Sequence, residues 1–437
     1  MKAIMLANTE LKNSEIQWLG AIPKHWKVGR VKQAFYSTKT IVGDNVEKYE
    51  RLALTLNGVI KRSKDDKGGL QPEKFEGYQI LKTNELVFKL IDLENVATSR
   101  VGLSPYTGIV SPAYVILHHR KNISPRYAEY YFLSMWMHEV FNNLGGDGVR
   151  SNISASALLK VPFLLVPDEE QESIANYLDD RCNKIDTIIA EAKASIEEYK
   201  ELKQAVIYEA VTKGLNKKLS YKVVVSQWVE KIPIEWNKIK IHYLVATPVI
   251  DGPHVSPELV TEGIPYISAN AIENGKINFD KKRGYITQRY NLECQKRYKP
   301  QTNDILVVKL GASTGKMAMV GEDTNFNIWV PLAVVRCKKE LNAKFIFYAM
   351  QSEYFQKEIQ NGWTYGTQET LGVNTLDNLY VFVPPRNEQD AIVSYLDKKI
   401  KLLDELLSEK QSLIDDLEIY KKSLIYEVVT GKRKVVE

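Results

Sequence analysis

The stretch VPDEEQESIANYLDD (166–180) is echoed by VPPRNEQDAIVSYLDKK (383–399). Aligned on Gln171 and Gln389, the offset is 218, and residues 170–212 share 15 of 43 positions with 388–430 without a gap. The match closes with IYEAVT (207–212) against IYEVVT (425–430). A second echo lies upstream of each copy, where IQWLGAIPKHW (16–26) answers SQWVEKIPIEW (226–236) at an offset of 210. Two echoes at nearly one spacing make the chain a tandem duplication of about 210–218 residues.

Both downstream copies read as helices. Apolar residues recur at Ile174, Leu178, Ile185, Ile188, Ala192, Ile196, Tyr199, Leu202 and Val206, and again at Ile392, Leu396, Leu403, Leu407, Ile414, Leu417, Leu424 and Val428. Asp168 with Gln171 suits a capping box, Asn387 suits the second N-cap, and Gly214 and Gly431 stand where left-handed caps belong. A helix of this length spans about 65 Å, too long for a small domain to bury its stripe. Antiparallel pairing of the two would bury both stripes as a coiled coil.

The intervening segments are mixed α/β with a shared order of elements and almost unrelated residues. Strands are expected over ELVFKLI (85–91) and IVSPAYVIL (109–117), then a helix from Ser124. In the second segment, DILVVKL (304–310) and WVPLAVVR (329–336) precede a helix from Ala343. The expected fold is therefore α/β: two α/β domains alternating with two long helices that pair as an antiparallel coiled coil, a tandem repeat with pseudo-two-fold symmetry. Its divisions fall at 1–160, 161–218, 219–376 and 377–437.

Composition bounds the function. With 44% hydrophobic and 26% charged residues in 437, the chain reads as a soluble globular protein. No apolar run reaches the roughly 18 residues of a membrane span, and MKAIMLANTE is too short an apolar start for a signal peptide. Cys182, Cys294 and Cys337 are scattered singly, which suits a reducing cytoplasm. Charge alternates along the chain: +7 over 19–160, −6 over 168–213, +4 over 236–376 and −4 over 387–430. Basic domains attract a polyanion and acidic helices avoid it.

Catalytic chemistry does not emerge. GASTGKM (311–317) is like a phosphate loop, but its glycines are too close together and Met317 replaces the magnesium-binding hydroxyl. Asp168, Glu201 and Lys203 do not form a nuclease set, because residues two apart do not share a helix face. There is no glycine fingerprint for a methyl donor, and no histidines at metal-ligand spacing. Polar loops suited to DNA are present instead. The candidates are Lys61, Arg62 and Lys64 in KRSKDDKGG, Ser99 and Arg100 in ATSRVG, and Arg150 and Asn152 in GGDGVRSNIS. In the second segment they are His254 in DGPHVSP, Lys309, Ser313, Thr314 and Lys316 in KLGASTGKM, and Tyr365 and Gln368 in NGWTYGTQETLG. Glycine-flanked loops carrying cations, hydroxyls and carboxamides can approach base edges and phosphates closely.

The lead-ins WLGAIPKHW (18–26) and WVEKIPIEW (228–236), the two helix starts, and the phrases DGPH, IPYISANAI and DILVVKLGASTGK together resemble specificity subunits of type I restriction–modification enzymes. The resemblance covers essentially the whole chain; Glu230 and Lys231, where Gly20 and Ala21 stand in the first copy, depart from it locally. It implies two target recognition domains, each reading one half of a bipartite site in double-stranded DNA, and spacer helices that dock two modification subunits. Restriction subunits would join for cleavage. No cofactor is expected on this chain; S-adenosylmethionine, ATP and Mg2+ would belong to the partner subunits. The alternative is an adaptor or scaffold using helices and α/β modules to bind proteins.

Overall fold

The computed structural model describes residues 1–437 except 57, 67–73, 92–99, 121, 145–151, 217, 366–368 and 437, and except the side chains of 100, 143, 364, 365 and 369. The chain divides into two compact units, Met1–Lys193 with Ser412–Glu437, and Ala194–Gln411. The divisions cut through the two long helices, Asp168–Lys213 and Arg386–Val429. Each unit thus owns one α/β domain and part of each helix.

In the first unit a hairpin, Leu11–Asn13 with Ala21–Pro23, leads into the strand Lys27–Arg30. That strand pairs antiparallel with Pro162–Leu165, so the domain is closed where the chain enters and leaves it. Two four-stranded sheets lie between. One runs Arg100–Leu103, Leu86–Lys89, Val115–His119, Phe35–Tyr36; the other runs Gly58–Arg62, Arg51–Thr55, Gly108–Val110, Gln79–Leu81. A Cβ on Gly102 would fall 2.9 Å from Leu54, so glycine permits the close contact between these sheets. The expected strand over 109–117 is two strands, because Pro112 has no N–H to continue a ladder. Ser124 caps the helix Pro125–Met137 by accepting from Tyr127 N at 3.3 Å. The buried rings of Tyr131 and Phe132 from this helix pack edge-on and stacked against Phe35, Phe88 and Phe163.

The second unit repeats the plan. The hairpin Tyr221–Val223 with Lys231–Pro233 precedes Asn237–Lys240, which pairs with Tyr380–Val383. Its main sheet runs Ile250–Asp251, Leu332–Val335, Ile305–Val308, Met317–Met319. A three-stranded sheet carries Gly284–Ile286, Ile264–Ile267 and Asn327–Ile328, the last pair parallel. The expected helix from Ala343 is two, Ala343–Gln351 and Glu353–Asn361, broken at the extended Ser352.

The helices are fastened to each domain by one set of bonds, made twice. Trp26 Nε1 donates to Glu170 at 3.0 Å, and Trp236 Nε1 donates to Glu388 at 3.0 Å. The hydroxyls of Tyr130 and Tyr348 donate to Asp179 and Asp397 at 2.7 and 2.6 Å, where Arg126 and Lys344 also pair. Tyr426 OH donates to Trp18 O at 3.0 Å, and Tyr208 OH donates to Trp228 O at 3.1 Å. The expected capping box is absent. Asp168 and Asn387 lie inside the helices, and the Gln171 and Gln389 side chains are buried clamps. Gly214 and Gly431 do end the helices in the left-handed region, at φ 72° and 73°.

In both units the helices run antiparallel. In the first, Asp186 meets Lys421 at 2.6 Å and Lys193 meets Glu418 at 3.9 Å, so one helix advances as the other recedes. In the second, Lys203 meets Asp404 at 2.5 Å. Lys203 is the repeat counterpart of Lys421, and Asp186 that of Asp404, so one ion pair is formed twice with the helices exchanged. The buried stripe is narrower than the sequence pattern. Leu178, Ile185, Ile189 and Ala192 are buried, but Ile188 and Leu202 are exposed. Leu178→Asp and Leu396→Asp, both fully buried positions, should each cost on the order of 3 kcal/mol or more. Ile419→Asp, at a position 68% exposed, should leave melting unchanged. Thermal unfolding of the three variants checks this; equal melting would remove the buried stripe as the source of helix pairing.

Candidate nucleic-acid interface

Each domain brings the loop after a central strand against the segment that lies between its own helices and the following long helix. In the second unit the strand Ile305–Val308 turns through 309–316 and returns as Met317–Met319. The turn is tight: Thr314 N donates to Gly311 O, Lys316 N to Ser313 O and Gly315 N to Val308 O, all within 3.0 Å. Gly311 and Gly315 supply φ of 83° and 91°. A strand follows where a phosphate loop needs a helix, so the nucleotide reading of GASTGKM does not hold. The turn leaves Lys316 exposed and Ser313 and Thr314 half-buried. Beside it lies the hairpin Thr364–Tyr365 with Glu369–Thr370, joined by the bridge of Leu310 to Thr370 and by Leu371 N donating to Lys309 O at 2.8 Å. The side chain of Tyr365, and Gln368 altogether, lie outside the described residues.

The first unit builds the same junction from other residues. After Leu86–Lys89, the Leu90 carbonyl accepts from Ile153 N at 3.1 Å and Ile91 bridges to Asn152. Asn152 is exposed there. Arg100 opens the strand paired to Lys89, with its side chain outside the described residues, as are Ser99 and Arg150 entirely.

The remaining candidates are already engaged. Lys61 pairs with Glu50 at 2.6 Å and lies 5.1 Å from the Tyr106 ring centroid. Arg62 pairs with Asp66 at 2.7 Å, and Lys64 donates to Val46 O at 2.9 Å with Glu47 at 3.6 Å. The bond to Glu50 holds the Lys61 ammonium above its ordinary value, and the bond to Asp66 does the same for Arg62. These side chains line an open groove of about 400 Å³ with Lys48 and Arg51. Its cations would have to exchange a carboxylate for a phosphate, a swap that costs little at an exposed pair.

Lys309 requires a correction. Expected to reach DNA, it is buried, and its Nζ lies 2.7 Å from Asp251. Asp251 is buried too, and receives Arg297 Nη2 at 2.6 Å and the largely exposed His254 at 3.2 Å. Burial alone would raise its pKa, but the Lys309 hydrogen bond, with the charges of Lys309, Arg297 and His254, holds the carboxyl below its ordinary value. The lysine therefore fixes the DGPH turn to the strand that carries the 309–316 loop. Sequence reading missed Arg297 because its partner lies 46 residues away. Among the described residues, no group of three or more His, Cys, Asp or Glu side chains could hold a metal.

Comparison with known proteins gives the context. The type I restriction modification DNA specificity domain family matches residues 254–415. The chain is 28% identical over 269 residues to the type I restriction enzyme EcoBI specificity subunit of Escherichia coli, a match covering 60% of this chain and 55% of that one. It is 23% identical to the protein assigned as the type I restriction enzyme MjaX specificity subunit of Methanocaldococcus jannaschii, across 99% of both chains. Among solved structures, a chain from work on complex assembly and conformational transition of the type I R-M system superposes with a TM-score of 0.70. That likeness is at 12% identity and covers 94% of this chain and 99% of that one. The HsdS subunit from Thermoanaerobacter tengcongensis has a TM-score of 0.50 at 14% identity, over 94% of this chain and 98% of its own. These two likenesses establish the fold.

The buried Asp251–Lys309 pair and the exposed Lys316 should separate in experiment. Lys309→Met leaves a buried carboxylate short of a partner and should cost on the order of 2 kcal/mol, with Arg297 still in place. The part of the fold's stability owed to the lowered Asp251 is present above the ordinary carboxylate range and lost as pH falls through the lowered value. The variant should therefore lose less stability on acidification than the wild type. Lys316→Met should melt like wild type throughout. Melting curves from neutral to acid pH decide it, and an unchanged Lys309→Met would return that lysine to the surface.

Proposed function

Because the chain belongs to the family of specificity subunits of type I restriction–modification enzymes, we propose that it reads a bipartite, asymmetric DNA site, one half with each α/β domain. One observation carries this reading. The same junction of strand-end loop and post-helix segment is built in each unit, at Leu90 with Ile153 and at Lys309 with Leu371, on unrelated residues. A repeated mount with different cargo suits two readers of two different words. The adaptor alternative finds no support among these relatives.

In this reading Asn152, Arg100, Ser313, Thr314, Lys316, Tyr365 and Gln368 contact DNA, joined by Ser99, Arg150 and His254. Lys61, Arg62 and Lys64 do so by partner exchange. The acidic helices carry exposed apolar side chains, among them Ile188, Leu202, Leu402 and Ile419, which suit protein partners better than phosphates. Two modification subunits dock there, and restriction subunits join for cleavage. S-adenosylmethionine, ATP and Mg2+ are bound by those subunits, and no bond-breaking step is assigned to this chain. No helix among the described residues is long and apolar enough to cross a membrane, and the assembly works in the cytoplasm.

Replacing residues 236–376 with the matching segment of a relative, in a host that methylates its DNA through this subunit, tests the reading. Sequencing of modified bases should show one half of the motif changed and the other retained. A motif whose two halves change together would refute independent reading.

A further inference from the structure

Three consecutive cations, Lys281, Lys282 and Arg283, precede the strand Gly284–Ile286 in the second unit, apart from both loops of the junction. Two are occupied: Lys281 pairs with Glu273 at 2.5 Å, and Lys282 donates to Phe279 O at 3.2 Å. Arg283 is placed differently. Its Cζ lies 3.2 Å over the Trp329 ring centroid. Both residues flank one end of the strand Ile264–Ile267, Arg283 N donating to Tyr266 O and Trp329 N to Ile267 O, each at 2.9 Å. Among the described residues, Nη1 of Arg283 and Nε1 of Trp329 are buried and have no hydrogen-bond partner.

Neither nitrogen can accept, and an unpaired buried donor is costly, so the pair calls for an acceptor from outside the chain. The Trp329 backbone is closely packed. Gly252 approaches so closely that a Cβ there would sit 2.3 Å from the Trp329 carbonyl carbon, and Gly252 N donates to Leu332 O at 3.1 Å. Gly252 follows Asp251, which holds Lys309 at the start of the 309–316 loop, so the stack is continuous with the candidate interface.

We propose that Arg283 and Trp329 form a phosphodiester clamp in the second recognition domain, a reading that rests on the DNA function proposed above. A flat base edge is read by coplanar donors, as when one guanidinium forks onto guanine. Here the two donors come from two stacked groups, which suits a phosphate oxygen, an anionic acceptor open to donors from several directions. The arginine supplies charge as well as a donor, and the indole both orients it and adds its own N–H.

The test uses the assembly recovered from its host on the tagged full-length chain, with a fluorescent duplex of mixed sequence titrated at several salt concentrations. Arg283→Ala should weaken binding about tenfold and make the slope of log K against log salt shallower by about one. Trp329→Phe keeps the charge and a stacking face, so it should weaken binding a few-fold with the slope unchanged. Arg283→Lys should retain the slope, and it carries the test if the alanine variant fails to melt like wild type. Variants that bind like wild type would overturn the clamp while leaving the DNA function standing. So would an Arg283→Ala loss confined to one sequence at constant slope, which marks a base contact. Wild-type protein that binds no duplex at any salt would remove the DNA reading itself, and the clamp with it.

Discussion

The architecture depends on a buried carboxamide at the start of each long helix. Gln171 is 1% exposed. Its Oε1 accepts from Ser124 N at 2.8 Å and its Nε2 donates to Val166 O at 2.8 Å. Gln389 does the same with Asn342 N at 2.8 Å and Pro384 O at 2.9 Å. One side chain thus ties together three things: the entrance of a domain helix, the end of the strand that closes the domain, and the first turn of a long helix. A buried amide left without those partners would cost about 1–3 kcal/mol, so the site tolerates no neighbour out of place. Glutamine reaches both backbone groups at once, where a shorter side chain would satisfy one.

From that anchor the duplication becomes a physical necessity. A helix of more than 40 residues cannot bury its apolar stripe against a domain that meets only its first turns. The middle of the stripe must be covered by another helix carrying a matching stripe, and the second copy of the sequence supplies one. The last turns, at Ile207, Ala210 and Val211, share a core with Val229, Ile232 and Trp236 of the second lead-in. Antiparallel pairing then gives Lys203 an Asp404 and Lys421 an Asp186, since each copy contributes both members. The ion pairs are partly exposed and worth little individually. Their value is to reject registers in which like charges would meet.

The frame was legible in the sequence because it is written twice. Repetition at a fixed offset identified the helices, the lead-ins and the pairing without any appeal to propensity. Reading failed where one local pattern fits two structures. Asp168 and Gln171 have the spacing of a capping box, but burial turned Gln171 inward to longer-range backbone partners. Ile188 and Leu202 fit the helical period, yet the seam between two helices is narrower than the apolar stripe of a globular helix, so they stay in solvent. Lys309 looked like its loop neighbour Lys316, and only the fold reveals the carboxylate of Asp251, far away in sequence, that claims it. Arg283 escaped notice for the converse reason: nothing in KKRG announces a tryptophan waiting across the sheet.

The distribution of charge explains why the domains can be read as DNA-facing despite so many internal ion pairs. The cations of the 61–64 turn each hold a carboxylate, so their contribution to a polyanion is the difference between two partners of similar strength. Such a surface is neutral at rest and adjusts on contact, which favours discrimination over raw attraction. Exposed Lys316 makes no ion pair among the described residues, and its turn is held rigid by backbone bonds and two left-handed glycines. A rigid turn that carries an exposed cation can set register on phosphates, leaving bases to neighbouring polar side chains. Under the proposed DNA function the two kinds of basic surface would have different work: the paired cations of the first domain would yield to the right partner, and the rigid turn of the second would hold position.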